Sequence, residues 1–386
     1  MNNSPDVGKR THRKRRPTTQ RQKLGKKASK CDTQASDRGS KATTVDEESR
    51  PKERKKIEKP LTTDQQKAFD CMLNFVNTTL ERRNEDILKE YEEIAKITPK
   101  ESECSAFYKN LERNRCQTVL LLDSTRVVLE SPTGDYIHAS RVTLPQFNRK
   151  VIAAQLPLSD YIEEFWRMIF QENCSLMVLL GRGKEEAEEF MKILPKNNGD
   201  YKYFGTMFVN IRKMERQYDK KVDLDKENER ENLENVTSIT MSVEVLPDGC
   251  SNSIFCKVLM QLNWGVMIAP QGKAAPLATS AEILDRKETG TVCVVSMEGT
   301  GRAGTQLAIV AAMNLVQKGI TPDIREIVTE IRKSRAFAVE SSVQYATVFQ
   351  AVLYYATAKL KRQSVRERVT QFQQGWYIVN PIAISR

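Results

Sequence analysis

TVCVVSMEGTGRAGTQLAIVAAMNLVQKG, residues 291–319, passes from a β-branched apolar run through three close glycines into long Ala-rich apolar sequence. Residues 291–295 suit a buried strand, and the stretch from Thr305 suits a helix that stops at Gly319. Between them Gly299, Gly301 and Gly304 allow a tight turn that aims successive backbone N–H groups inward, toward the positive end of the following helix. Such a strand, loop and helix make an anion cradle. Arg302 sits in the loop, where a guanidinium can chelate two oxygens of a phosphate. An ordinary strand-to-helix connection with a surface arginine explains the same residues, so the loop alone does not decide.

Composition narrows the choice. The chain has 386 residues, a hydrophobic fraction of 39% and a formal net charge of +11. Residues 1–60 hold 19 Lys and Arg against 8 Asp and Glu, so the excess of the whole chain sits there and the remainder is balanced. KRTHRKRRPTTQRQKLGKK and PKERKKIEKP carry almost no large apolar residues, and such a segment cannot bury enough surface to fold alone. It is expected to be a disordered basic tail. No apolar core follows its basic residues as in a secretory signal, and no run approaches the length of a membrane span. The expected location is cytoplasmic, nuclear or both. Cysteines at 31, 71, 104, 116, 174, 250, 256 and 293 form no C-x-x-C pair and there are two histidines, so neither a metal site nor a disulfide framework is expected, and no cofactor.

From Leu61 onward the pattern is that of a folded domain. LTTDQQKAFDCMLNFVNTTLERR offers Thr62 or Thr63 as an N-cap and apolar residues at helical spacing, and DILKEYEEIAKI repeats the period. Strands are predicted at QTVLLLD, TRVVLE and DYIHASRVTL. A helix follows around LSDYIEEFWRMIFQENC, then a strand at SLMVLLG. YKYFGTMFVNIRKMERQ and VTSITMSVEVL read as longer strands flanking a charged loop, and SIFCKVLMQLNW continues the β set. Beyond the cradle, helices are predicted at TPDIREIVTEIRKSR, with Thr321 as cap, and at SSVQYATVFQAVLYYATAKLKR. The order implies one α/β domain over 61–365, with helices on both sides of a mixed sheet, and a C-terminal extension over 366–386.

NRCQTVLLLDSTRVVL, DYIHA, the segment through FWRM, VSMEGTGRAG and RKSRAFAVESSVQY fall in one order along residues 61–360. In that order and spacing the chain resembles the protein tyrosine phosphatase family, tyrosine-specific branch and non-receptor in type. The resemblance implies the fold of that family, a highly twisted mixed sheet flanked by helices. It also implies a thiolate chemistry in which a Cys in a His-Cys-x5-Arg loop attacks phosphorus. An Asp on a Trp-Pro-Asp loop then protonates the leaving phenol, and a Gln positions the hydrolytic water. A thiolate needs a cradle that lowers its pKa, and the developing charge needs the loop amides and the Arg.

Laid on the family pattern from its glycine end, the loop puts Val295 at the His position and Ser296 at the nucleophile position. The implied phosphate cradle is Ser296, Met297, Glu298, Gly299, Thr300, Gly301 and Arg302. No cysteine in the chain has an arginine six residues later, so the loop is not misaligned. LNWGVMIAP keeps Trp264 but puts Val266 at the acid position. Glu340 falls where the first Gln of the water-positioning loop would stand, and Gln344 matches the second. Asn114, Arg115 and Cys116 replace Asn-Arg-Tyr, so no aromatic wall flanks a phosphotyrosine ring. Cys293 lies three strand residues before Ser296, roughly 10 Å away and on the other face of the pleat, as a core cysteine would. Residues Phe165, Trp166 and Met168 are expected in the core.

Loss of nucleophile, acid, water-positioning amide and ring wall together implies a pseudophosphatase. The expected function is to bind a phosphotyrosine protein or peptide without hydrolysing it, as a scaffold or a protector of the phosphosite. Two alternatives stand beside it: an active phosphatase using atypical residues, and a polyanion-binding protein acting through the basic tail. The direction of the Glu298 side chain, inward or outward, decides how an anion would be received.

Overall fold

Residues 291–296 become the centre of a nine-stranded mixed sheet in the computed structural model of the protein. The structure describes residues 61–379 except 133, 224, 268, 271–273 and 285–288. The basic tail over 1–60 and the last residues, 380–386, lie outside the described residues.

The strands are β1 (Arg126–Val128), β2 (Tyr136–Arg141), β3 (Val151–Gln155), β4 (Cys174–Leu180), β5 (Tyr201–Phe204), β6 (Met207–Tyr218), β7 (Val236–Pro247), β8 (Ile254–Gln261) and β9 (Thr291–Ser296). They lie side by side as β1-β2-β3-β9-β4-β8-β7-β6-β5. The four central strands pair in parallel and the flanks are antiparallel, so β9 is buried along its whole length between β3 and β4. A parallel strand covered on both faces reads as a continuous apolar run, which is what 291–295 is.

Helices α1 (Thr63–Leu80), α2 (Asn84–Ala95), α3 (Ser105–Tyr108), α4 (Ile162–Gln171), α5 (Gly183–Lys192) and α6 (Glu227–Glu231) occur in the first part of the described chain. Helices α7 (Ala274–Leu284), α8 (Gly301–Gln317), α9 (Ile324–Ser334), α10 (Ser342–Leu360) and α11 (Gln363–Val379) follow. The period of two along β9 splits the core. Val292 and Val294 pack with α1, α2, α8, α9 and α10 on one face, while Cys293 and Val295 join Phe165, Trp166 and Phe190 of α4 and α5 on the other. Phe165, Trp166 and Met168 are fully buried, and the Trp166 indole N–H donates to the Ile193 carbonyl at 2.8 Å. The expected mixed sheet with helices on both faces is the one observed.

Several local expectations need correction. Residues 117–123, QTVLLLD, form no strand, although Leu121 is buried. Asp123 instead accepts from the Ser105 and Ala106 amides at 2.8 and 2.9 Å, capping α3, and the segment has no ladder partner in the sheet. The 201–217 run is two strands folded at Gly205, whose φ of +57° a side chain would strain. Helix α9 is capped by Asp323, which accepts from the Glu326 amide, and not by Thr321, whose hydroxyl accepts from Asn74. Thr62 does cap α1, with Gln65 closing a capping box. Val365 and Val369 of α11 pack in the main core.

Candidate functional site

Strand β9 ends at Ser296, residues 297–300 turn, and α8 begins at Gly301, so the loop sits at the carboxyl ends of the parallel strands. Gly299 is required there twice over. Its φ is +72°, and a Cβ would lie 2.4 Å from the carbonyl carbon of Ala154. Gly304 lets α8 approach the 335–340 connection, where a Cβ would meet that of Ala338 at 2.8 Å.

The loop is held from behind by Arg335, the residue that ends α9. This arginine is wholly buried. Its Nε donates to the Gly299 carbonyl at 3.0 Å and its Nη2 to the Glu298 carbonyl at 2.8 Å. The same Nη2 donates to His138 Nδ1 at 2.9 Å, and Nη1 reaches Ser140 Oγ at 3.4 Å. His138 therefore accepts at Nδ1 and donates from Nε2 to the Val119 carbonyl at 2.9 Å. Burial, and then the neighbouring Arg335 charge, pull its pKa down to about 3, so it stays neutral. His138 braces the back of the loop, and its ring nitrogens are both engaged there.

Arg302 is almost fully buried and makes a two-pronged pair with Glu186 of α5, at 2.5 Å from Nη1 and 2.9 Å from Nη2. Nη1 also donates to the Trp264 carbonyl at 2.9 Å. Glu186 in turn accepts from the Arg182 amide at 2.7 Å. Trp264 is buried, and two residues on Val266 is more than half exposed. That loop is tied to α10 through the Ser341 hydroxyl, which donates to the Met267 carbonyl at 2.9 Å.

Ser296 is 3% exposed, and its Oγ accepts from the Gly299 amide at 3.1 Å. Glu340 comes from the other side: its Oε1 accepts from the Gly301 amide at 2.9 Å and from the Thr300 hydroxyl. The Glu340 amide donates to Gln344 Oε1 at 2.8 Å. Gln344 is fully buried, and its Nε2 lacks a hydrogen-bond partner. A pocket with about 40 Å³ of free space opens here, lined by Val266, Ser296, Glu298, Arg302, Glu340 and Gln344 among others. That is room for roughly one water molecule. Burial pushes the Glu298 carboxyl up from its ordinary value; Glu340 adds to the rise and Arg302 opposes it. Glu298 lines the pocket together with Glu340 and Arg302.

The fold brings Ser296, Met297, Glu298, Gly301 and Arg302 of the loop to one pocket with Val266, Glu340 and Gln344. It does not bring Asn114, Arg115 and Cys116 to the pocket wall. Asn114 accepts from the Tyr136 hydroxyl at 2.7 Å, and Arg115 grips the Leu156 and Pro157 carbonyls at 2.6 and 2.9 Å. Cys116 Sγ lies 3.1 Å from Thr118 Oγ1. Cys293 is wholly buried, and burial drives its thiol pKa far up, so it is no nucleophile. Sequence reasoning missed Arg335 and Glu186 as the groups that hold the cradle. Both were visible as charged residues in otherwise apolar or helical surroundings, but nothing local paired them with the loop.

The arrangement is a strand-to-helix loop at the start of α8 around which one buried arginine, a serine and two carboxylates line a single pocket. The pattern for Protein-tyrosine phosphatase matches residues 110–354. The chain belongs to the protein-tyrosine phosphatase family. It is 30% identical over 278 residues to a "putative tyrosine-protein phosphatase" of Caenorhabditis elegans, covering 71% of this chain and 64% of that one. It is 24% identical over 293 residues to tyrosine-protein phosphatase non-receptor type 20 of Mus musculus, covering 74% of this chain and 64% of that one. The chain therefore spans less than two thirds of the length of these relatives. A solved chain, from work on the structural basis of the PTPN18 fingerprint on distinct HER2 tyrosine phosphorylation sites, superposes with a TM-score of 0.58 at 19% identity. That superposition covers 73% of this chain and 99% of the other, and it concerns the fold alone. Among the described residues no helix is long and apolar enough to cross a membrane, and no cluster of side chains suits a metal ion.

Proposed function

We propose that this domain binds phosphotyrosine-containing partners and does not hydrolyse them, serving as a scaffold or as a shield of the phosphosite. One observation carries the reading: Ser296, which the motif order lays at the nucleophile position, has its Oγ accepting from the Gly299 amide. A serine attacks phosphorus only when a base takes its proton. His138, the one histidine among the described residues, is engaged on both ring nitrogens behind the loop. Glu298 and Glu340 do face the pocket, so proton removal by a carboxylate is the step a kinetic test must address. Val266 supplies no proton to a leaving phenol, and loss of general acid catalysis costs ~10²- to 10⁴-fold.

The test is phosphate release from a phosphotyrosine peptide and from an aryl phosphate. Wild-type protein is expected to match a buffer control, and Ser296→Ala to change nothing. Turnover that disappears in Ser296→Ala would overturn the reading in favour of an atypical active phosphatase. As a positive control, Ser296→Cys combined with Val266→Asp restores the two missing chemical groups, and measurable release is expected from it.

A further inference from the structure

We infer that Glu340 is the resident anion of the cradle, an intrachain carboxylate that holds the donors a phosphate would use and competes with oxyanions for them. The inference deepens the proposed phosphotyrosine-binding role and rests on it for the identity of the outside ligand. The Gly301 amide belongs to the first turn of α8, where helix geometry presents N–H groups to an anion. Glu340 takes that amide at 2.9 Å and the adjacent Thr300 hydroxyl as well. Its second oxygen lies where a Cβ on Gly301 would be 2.4 Å away, so the carboxylate is seated flat against the helix start.

The placement is built into the backbone. Phe337 and Val339 have φ of +61° and +60°, which a β-branched residue such as Val adopts only under constraint. The constraint is visible. Arg332 donates to the Ala338 and Val339 carbonyls at 2.9 and 3.1 Å, and the Tyr91 hydroxyl donates to the Val339 carbonyl at 3.0 Å. Ser341, the next residue but one, caps α10 by accepting from the Gln344 amide at 3.1 Å. Glu340 thus emerges from a clamped segment directly into the loop, and only its side chain has to rotate to free the donors.

A second observation marks the place as a ligand site. Gln344 Nε2 is buried without a partner and lines the same pocket, while its Oε1 is tied to the Glu340 amide. It is a donor waiting for an acceptor beside the carboxylate. With Glu298 and Glu340 both present, the pocket keeps about 40 Å³ of free space, and the Gly301 amide and Thr300 hydroxyl are already held by Glu340. An oxyanion takes the Gly301 amide and the Thr300 hydroxyl only as Glu340 leaves them, and Gln344 Nε2 then stands beside it as a further donor.

The experiment is calorimetric titration of the full chain with a phosphotyrosine peptide and, separately, with inorganic phosphate. Wild type, Glu340→Gln and Glu340→Ala are compared. Both variants are expected to bind both probes at least ~10-fold more tightly than wild type. Tight binding by the variants with none by wild type also supports the inference, and it removes the proposed role from the unmodified chain. Equal affinity in all three proteins overturns the inference and leaves phosphotyrosine binding standing. Absence of binding in all three overturns both. Melting temperatures of the variants within a few degrees of wild type establish that the comparison is between folded proteins.

Discussion

Arg335 Nε lies 3.0 Å from the carbonyl oxygen of Gly299, and the guanidinium turns the back of the loop into a hydrogen-bonded wall. The two residues are far apart in sequence, and the contact fixes which way the peptide planes of the loop face. With the carbonyls of Glu298 and Gly299 drawn toward Arg335, the loop's amide side is left toward the pocket.

Arg335→Ala is expected to cost about 3–5 kcal/mol of stability, because it strips partners from two carbonyls and from His138 in a dry interior. Urea denaturation followed by circular dichroism measures it. Arg335→Lys is expected to recover little of the loss, since one ammonium cannot reproduce the forked geometry. A cost below about 1 kcal/mol for Arg335→Ala would show that the loop does not depend on this contact.

His138 makes stability depend on acidity. Its pKa is about 3 in the folded protein against 6.5 for the ordinary group, so the unfolded chain binds the proton first. Its contribution is fully present above about pH 6.5 and is lost progressively as pH falls toward 3. His138→Gln is expected to lower stability at pH 7.5 but to flatten the slope between pH 6.5 and 4. An unchanged slope in chemical denaturation across that window would remove His138 as its source.

Glu298 has the opposite sign. Its carboxyl is raised above the ordinary value, so the folded state favours the protonated form and bears a penalty that grows as pH rises past 4.5. Glu298→Gln is therefore expected to raise the melting temperature at pH 7.5 and to have a smaller effect at pH 4. The same variant is expected to strengthen phosphotyrosine peptide binding. Unit charges 4 Å apart interact by about 4 kcal/mol at an effective dielectric of 20, and less where water intrudes. No change in either quantity would place the carboxylate outside the reach of the pocket.

Gly299→Ala is expected to destabilise the protein by at least about 1–3 kcal/mol, from the positive φ alone, with the clash against the Ala154 backbone added to it. Gly249→Ala is the matching control: its φ is +77°, but a Cβ there meets nothing within 4 Å. The difference between the two melting temperatures reports the clash.

What the sequence by itself determined is local. The β-branched run of β9, the glycines of the turn and the helix former that follows are consecutive, and each specifies its own backbone through sterics and periodicity. Thr62 was legible as a cap for the same reason, since a capping box closes within four residues. The proposed places of Ser296 and Val266, at the nucleophile and acid positions of the family pattern, rest on motif order, which the sequence alone supplies. Tertiary structure decided the rest. Residues 117–123 have an apolar pattern fit for a strand, but a strand exists only where a neighbour offers a ladder, and Asp123 is instead spent on α3. Arg302 could have pointed at solvent, and Glu298 outward. Whether they do depends on Glu186, Arg335 and Glu340, which arrive from α5 and from the end and exit of α9. Charge pairing acts through space, so no spacing along the chain encodes which carboxylate will meet which amide until the sheet and helices have brought them within hydrogen-bond distance.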